Sequence, residues 1–265
     1  MAKSESMATG IAGRNVEALR AWQRITQAAR FFADRQAWKT YQPEAVPGIL
    51  SDFTTVPARE VLNLIARTGQ QYRIVLKEKF SADSLQGLKA VVDPDPEPPA
   101  PALRAAVLHF VNEGGTLVAG PAWGTVPGAV TAESAPHPRY SVAKLGKGTL
   151  AISKGPIGDP YLFASDAGIL ISHRHDLLRF WNGGPLSAVY SSAPDSKRAA
   201  VQMVFYSNRP AVGDTSVRIA GPYRTARLYT LDNPTPRAVQ ATQQNGAIEI
   251  NLPGSTSYIA LELEA

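Results

Sequence analysis

The first periodic segment of the chain runs from Asn15 to Asp34. Val16, Leu19, Trp22, Ile25, Ala29 and Phe32 recur three or four residues apart, the spacing that puts side chains on one stripe of a helix. Arg14, Arg20, Arg24, Gln27 and Arg30 fall off that stripe. The pattern predicts an amphipathic helix that either docks on the residues following it or joins them to another body. From Val46 onward, short apolar runs alternate with helical segments. Val46–Phe53, Tyr72–Leu76, Leu88–Val92 and Thr116–Ala119 read as buried strands. Pro57 opens a helix through Val61, Leu62, Leu64 and Ile65 that Gly69 stops, and Ser81 caps a short turn. Ala102–Glu113 carries Leu103, Val107 and Phe110 on one face and closes at Gly114 and Gly115. Strands and helices in this alternation predict an open, mostly parallel α/β sheet. The run Asp93–Pro101 is rich in proline and acid, which predicts an exposed connection.

Gly120–Pro138 reads as a loop, and Tyr140–Leu145 with Thr149–Ser153 as a hairpin around Gly146, Lys147 and Gly148. Asp159–Ile171 is apolar enough for a buried helix or an irregular core segment. His173–Trp181 is a shorter amphipathic stretch that Asn182, Gly183, Gly184 and Pro185 end. Beyond it the period becomes two. Ala199–Tyr206, Ser216–Ala220, Arg224–Leu231, Ala238–Thr242, Ala247–Leu252 and Ser257–Leu263 read as strands, separated by turn residues such as Asn208, Gly213, Asn233, Asn245–Gly246 and Gly254. That spacing predicts an antiparallel β-sandwich. The expected organisation is an N-terminal extension and linker helix (1–44), an α/β domain (45–185) and a β-sandwich domain (186–265).

Composition narrows the classes. A length of 265 residues suits one large domain or two ordinary ones, and 44% hydrophobic with 18% charged residues is a globular balance. The absence of cysteine excludes disulfides, thiolate metal sites and a cysteine nucleophile. The net charge of +5 comes from 27 basic against 22 acidic residues. No basic run is interleaved with aromatics, so a solvated surface is expected and no nucleic-acid partner. No stretch approaches the ~18 apolar residues of a membrane span, and Met1–Gly10 carries no apolar signal core. The expectation is a soluble chain without a signal peptide and without a membrane partner. Glycine-rich phosphate loops are absent after every strand, so no cofactor is expected.

Four constellations bear on chemistry. Gly120-Pro121-Ala122-Trp123-Gly124 has the spacing of a nucleophile elbow after a strand, but Ala122 stands at the nucleophile position and offers no lone pair. His173, His175 and Asp176, joined by Asp159 or Asp166, make a candidate metal set; a surface turn explains them more simply, and no metal is expected. Asp52, with Ser51, Thr54 and Thr55, ends the first strand, where ligands of open α/β sheets bind. Glycoside cleavage needs a second carboxylate, and Asp93 and Asp95 are the nearest; as an alternative, Asp52 caps the helix beginning near Pro57. Trp38 and Trp123, both in loops, are the expected exposed rings for stacking on a sugar, while Trp22, Trp181 and most tyrosines belong to packing.

The order of these segments carries a resemblance. Trp22, Arg24, Ile25 and Phe31-Phe32 come first. Gly48-Ile49-Leu50-Ser51-Asp52-Phe53 and Phe110-Val111-Asn112-Glu113-Gly114-Gly115-Thr116-Leu117-Val118 follow. Asp159-Pro160-Tyr161, Arg179-Phe180-Trp181-Asn182 and the terminal strands complete it. Together they resemble the C-terminal half of TIM-barrel glycoside hydrolases of the β-galactosidase type. There a flavodoxin-like, class I glutamine-amidotransferase-like domain mediates trimerisation and precedes a small β-sandwich. The barrel with its two catalytic glutamates has no counterpart here, and Ala122 stands where the amidotransferase cysteine would. The resemblance implies a non-catalytic accessory or oligomerisation region. Its partners would be further copies of the chain (a trimer), a barrel-type glycoside hydrolase, or carbohydrate. Alternatives are a hydrolase built on Asp52 at the sheet edge, a split-enzyme subunit with an exposed apolar face around the first helix, and a sugar-binding module using Trp38 or Trp123.

Overall fold

The computed structural model describes residues 6–132, 137–184, 186–206, 215–254 and 257–265; Pro185, Asn208 and Gly213 lie outside them. Two helices begin the chain, α1 (Met7–Ala12) and α2 (Val16–Ala33). Asn15 caps α2 by accepting from the amides of Glu17 and Ala18.

A seven-stranded sheet follows, of β2 (Pro47–Leu50), β3 (Arg73–Val75), β4 (Ala90–Asp93), β5 (Thr116–Ala119), β6 (Val130–Thr131), β7 (Tyr140–Leu145) and β8 (Gly148–Ser153), in the order β3-β2-β4-β5-β8-β7-β6. β3, β2, β4, β5 and β8 are mutually parallel, and β7 and β6 extend the sheet antiparallel. Alternation along the strands explains why both faces are covered. Ile49, Val92, Val118 and Ala151 point to one side, where α3 (Val56–Arg67) and α5 (Pro160–Ile171) pack through Val61, Ile65, Phe163 and Ala167. Leu50, Val91, Leu117 and Leu150 point to the other, against Leu103, Val107 and Val111 of α4 (Pro101–Asn112). Gly148 permits the close crossing of α4 over β8, since a Cβ there would lie 2.0 Å from the Val111 carbonyl oxygen.

Two antiparallel sheets complete the fold. One has the order β1-β10-β11-β17-β13-β14, built from β1 (Gln42–Pro43), β10 (Leu186–Ser192), β11 (Arg198–Phe205), β13 (Thr225–Thr230), β14 (Arg237–Ala238) and β17 (Tyr258–Glu264). The other has the order β15-β16-β12-β9, built from β9 (Leu178–Trp181), β12 (Thr215–Ala220), β15 (Ala241–Gln244) and β16 (Ala247–Leu252). Val201, Met203, Leu228 and Leu261 of the first sheet meet Val217, Ile219, Ile248 and Ile250 of the second in one core.

Several expectations change. The stretch His173–Trp181 is a 3-10 turn at His173–His175 followed by strand β9, which pairs with β12. The expected strand Ala238–Thr242 is split between β14 and β15. Two strands of the antiparallel sheets, β1 and β9, come from outside residues 186–265. Asp93 and Asp95, placed by the sequence in an exposed connection, are buried. No helix among the described residues is long and apolar enough to cross a membrane.

Candidate functional site

β2 and β4 lie side by side, but the chain leaves them in opposite directions. After β2 it passes through α3 to β3 on one side; after β4 it passes through α4 to β5 on the other. Such a reversal of strand order opens a crevice beyond the strand carboxyl ends, where open α/β sheets bind their ligands. Here that position is filled by the chain's own polar side chains. Ser51 follows β2, Lys77 follows β3, Asp93 ends β4, Asp95 stands two residues on, and Trp123 sits in the 3-10 turn after β5.

Their hydrogen bonds close on one another. Lys77 Nζ donates to Asp93 Oδ1 and to Asp95 Oδ2, each at 2.9 Å. The Ser51 hydroxyl donates to Asp95 Oδ1 at 2.7 Å and accepts from the Phe53 amide at 2.8 Å. Trp123 Nε1 donates to Asp93 Oδ2 at 2.9 Å, and the Asp95 amide donates to Asp93 Oδ1. All four carboxylate oxygens are thereby engaged. Burial pushes the Asp93 carboxyl up to about 6, against the opposing pull of the Lys77 ammonium and the hydrogen bonds it receives. The Lys77 ammonium is held above the usual lysine range: burial works against it, and the two carboxylates outweigh that.

A cleft of about 590 Å³ borders the cluster, lined by Asp52, Thr54, Lys77, Asp95, Glu97 and the prolines before α4. Of the cluster, the edges of Lys77 and Asp95 reach this cleft, while Asp93 is fully buried behind them. Glycoside cleavage requires an open gap between two carboxylates for the sugar; Lys77 Nζ occupies that gap here.

The sequence-selected residues are placed as follows. Ser51 and the two neighbouring acids, Asp93 and Asp95, are brought together. Asp52 is not among them; it is exposed and accepts from the Glu78 amide at 3.0 Å, tying down the turn after β3. Thr55, rather than Asp52, caps α3 by accepting from the Ala58 amide. Trp38 and Trp123, expected to be exposed, are 9% and 1% exposed. Trp38 packs with Phe31 and Tyr229 over the outer face of the six-stranded sheet. Arg104 stacks over Trp123 and donates to its carbonyl. Ala122 is half-buried in the same turn. Around the histidines, His173 pairs with Asp176 at 2.8 Å, Asp159 caps α5, and Asp166 is held by Arg139. No three His, Asp or Glu side chains among the described residues group as a metal site. Sequence reasoning missed Lys77, which shows no local motif; its position after a parallel strand beside β2 is the signal that would have found it.

No family model matches the chain, and no curated protein matches it in sequence. Solved structures do match in fold. Alpha-L-fucosidase isoenzyme 2 from Paenibacillus thiaminolyticus aligns with a TM-score of 0.61 at 10% identity, over 88% of this chain and 51% of that one. A GH42 beta-galactosidase from G. stearothermophilus aligns at 0.54 and 12%, over 84% of this chain and 41% of the other. The beta-galactosidase from Bacillus circulans sp. alkalophilus aligns at 0.52 and 12%, over 85% and 42%. The chain thus spans about half the length, or less, of the structures it resembles.

Proposed function

We propose that this chain is a non-catalytic accessory unit related to glycoside hydrolases, serving assembly and the shaping of a substrate entrance rather than bond cleavage. The observation that carries this reading is the closed cluster at the strand reversal. A catalytic carboxylate needs a free oxygen and an approach for substrate. Here every carboxylate oxygen of Asp93 and Asp95 is taken by a donor from the chain itself. Ala122 supplies no nucleophile at the neighbouring turn. The parallel strands, numbered along the chain from β2 and omitting the antiparallel β6 and β7, lie in the order 2-1-3-4-5, which supports a flavodoxin-like domain of the amidotransferase-like kind. The fold likeness to a fucosidase and to beta-galactosidases supports a glycoside-hydrolase setting. A sugar platform built on Trp38 or Trp123 would need exposed rings, and both are buried.

Hydrolysis of a panel of aryl glycosides by the purified chain, with Asp95→Asn beside it, tests the reading. No turnover above buffer is expected from either protein. Turnover by the parent chain that Asp95→Asn abolishes would place the chemistry at the sheet edge and refute the accessory role.

A further inference from the structure

The helices α3 and α5 meet the four-stranded antiparallel sheet along a seam, and a cavity of about 420 Å³ opens there, within the roughly 300–1,000 Å³ of small-molecule pockets. Its walls are the end of α3 with the turn after it, one side of α5, the turn at His173–His175 and strand β9. The polar side chains lining it are short of partners. Those of Arg67, Gln70 and Arg179 make no hydrogen bond or ion pair among the described residues. Arg179 instead lies over the Trp181 ring at 5.6 Å, which orients the guanidinium and leaves its N–H donors unused. His173 commits Nδ1 to Asp176 Oδ2 at 2.8 Å; its Nε2 and the second oxygen of Asp176 are left for a further partner. Gly168 stands inside α5, where glycine weakens a helix relative to alanine. A Cβ there would meet the Gln70 amide at 3.4 Å and otherwise enter the cavity. The missing side chain thus keeps the cavity open.

We propose that this cavity binds an acidic sugar, a pyranose bearing a carboxylate, with Arg67 and Arg179 on the carboxylate and Gln70, His173 and Asp176 on the hydroxyls. Charge selects an anion, because the two guanidiniums face a single carboxylate that His173 already holds. Guanidinium groups match a carboxylate with two parallel hydrogen bonds. Asp176 in turn disfavours a bare phosphate or sulfate, which it would repel, and favours a ligand that also brings hydroxyl donors. Phe180 and Ile169, the latter 61% exposed, add apolar wall for the C–H face of a ring. The site is separate from the clasp at the strand reversal: Ser51, Lys77, Asp93 and Asp95 do not line it. That the ring is a sugar rests on the glycoside-hydrolase setting proposed above; the selection of a hydroxylated carboxylate rests on the cavity alone.

Titration of the full chain with galacturonate, followed through amide shifts in proton–nitrogen correlation NMR, tests it, with galactose and inorganic phosphate as comparison ligands. Galacturonate should shift the amides of Gly168 and Arg179 and saturate at a Kd on the order of 1 mM. Galactose and phosphate should each bind at least about tenfold more weakly. Arg179 is exposed on a strand at the end of its sheet, so Arg179→Gln should keep the fold and weaken galacturonate about tenfold or more. Gly168→Leu should fill the cavity and remove saturable binding while its thermal midpoint holds or rises, because leucine favours a helix over glycine. Phosphate binding as tightly as galacturonate would show a bare anion patch and overturn the proposal. So would equal affinity for galactose, an affinity unchanged in Arg179→Gln, a folded Gly168→Leu that still binds, or no shift of these amides at ligand concentrations on the order of 50 mM. Aryl-glycoside turnover is a separate readout: hydrolysis counts against the accessory reading, and absent galacturonate binding against this site alone.

Discussion

At the scale of single residues, the decisive group is Asp93. Its carboxyl, raised from 3.8 to about 6 chiefly by burial, binds its proton more tightly in the folded chain than in the unfolded one. Its stabilising contribution is therefore complete below pH 3.8 and lost as the pH rises through about 6. Measured against Asp93→Asn, the parent chain should lose stability of roughly 2 kcal/mol between pH 4 and pH 7. Urea unfolding of both proteins across that range checks this; a pH-independent difference would show that Asp93 titrates normally. The importance of this residue was not legible in the chain. Asp93 and Asp95 lie in a proline-rich acidic run that reads as solvated, and the charge that permits their burial, Lys77, comes sixteen residues earlier. Only the pairing of β4 with β2, and of β2 with β3, brings the three together. Ser51 was legible, because its place at a strand end is a local property. Trp38 and Trp123 were misjudged because a tryptophan flanked by loop residues still buries its ring when a sheet lies beneath it.

Among the elements, those with strong local signals were read nearly to the residue. β5 and β7 match the expected bounds, and α2 ends where its caps end it. Amphipathic periodicity showed that α2 has an apolar face, but nothing in the period says which side meets the body. β10 was missed because Ser191 and Ser192 are buried in it, which erases the alternation a half-exposed strand would show. β9 is four residues long, too short for period two to stand apart from a helical reading. The attachment of α2 rests on Phe31, with the Arg35 guanidinium stacked 3.7 Å from its ring. Truncating such a buried ring costs about 3–5 kcal/mol. In Phe31→Ala, amide exchange along α2 should accelerate by roughly a hundredfold or more, while β11 and β17 keep their protection. Unchanged exchange in α2 would mean that other contacts hold it.

For the whole molecule, the order of helices and strands was enough to foresee an α/β layer followed by antiparallel sheets, and the fold likeness agrees with that outline. The partnerships between distant segments were beyond local pattern, as with β1 joining β10 across the length of the α/β layer. The central claim is that the strand reversal, where an open sheet would take a ligand, is closed by a clasp. Lys77→Met tests this most directly through the sign of its effect on stability. Removing the one cation between two buried carboxylates should destabilise the chain by about 3–5 kcal/mol in urea unfolding at pH 7.5. A variant as stable as the parent, or more stable, would contradict the account, because that is the usual outcome when a reactive group is taken out of a working active site.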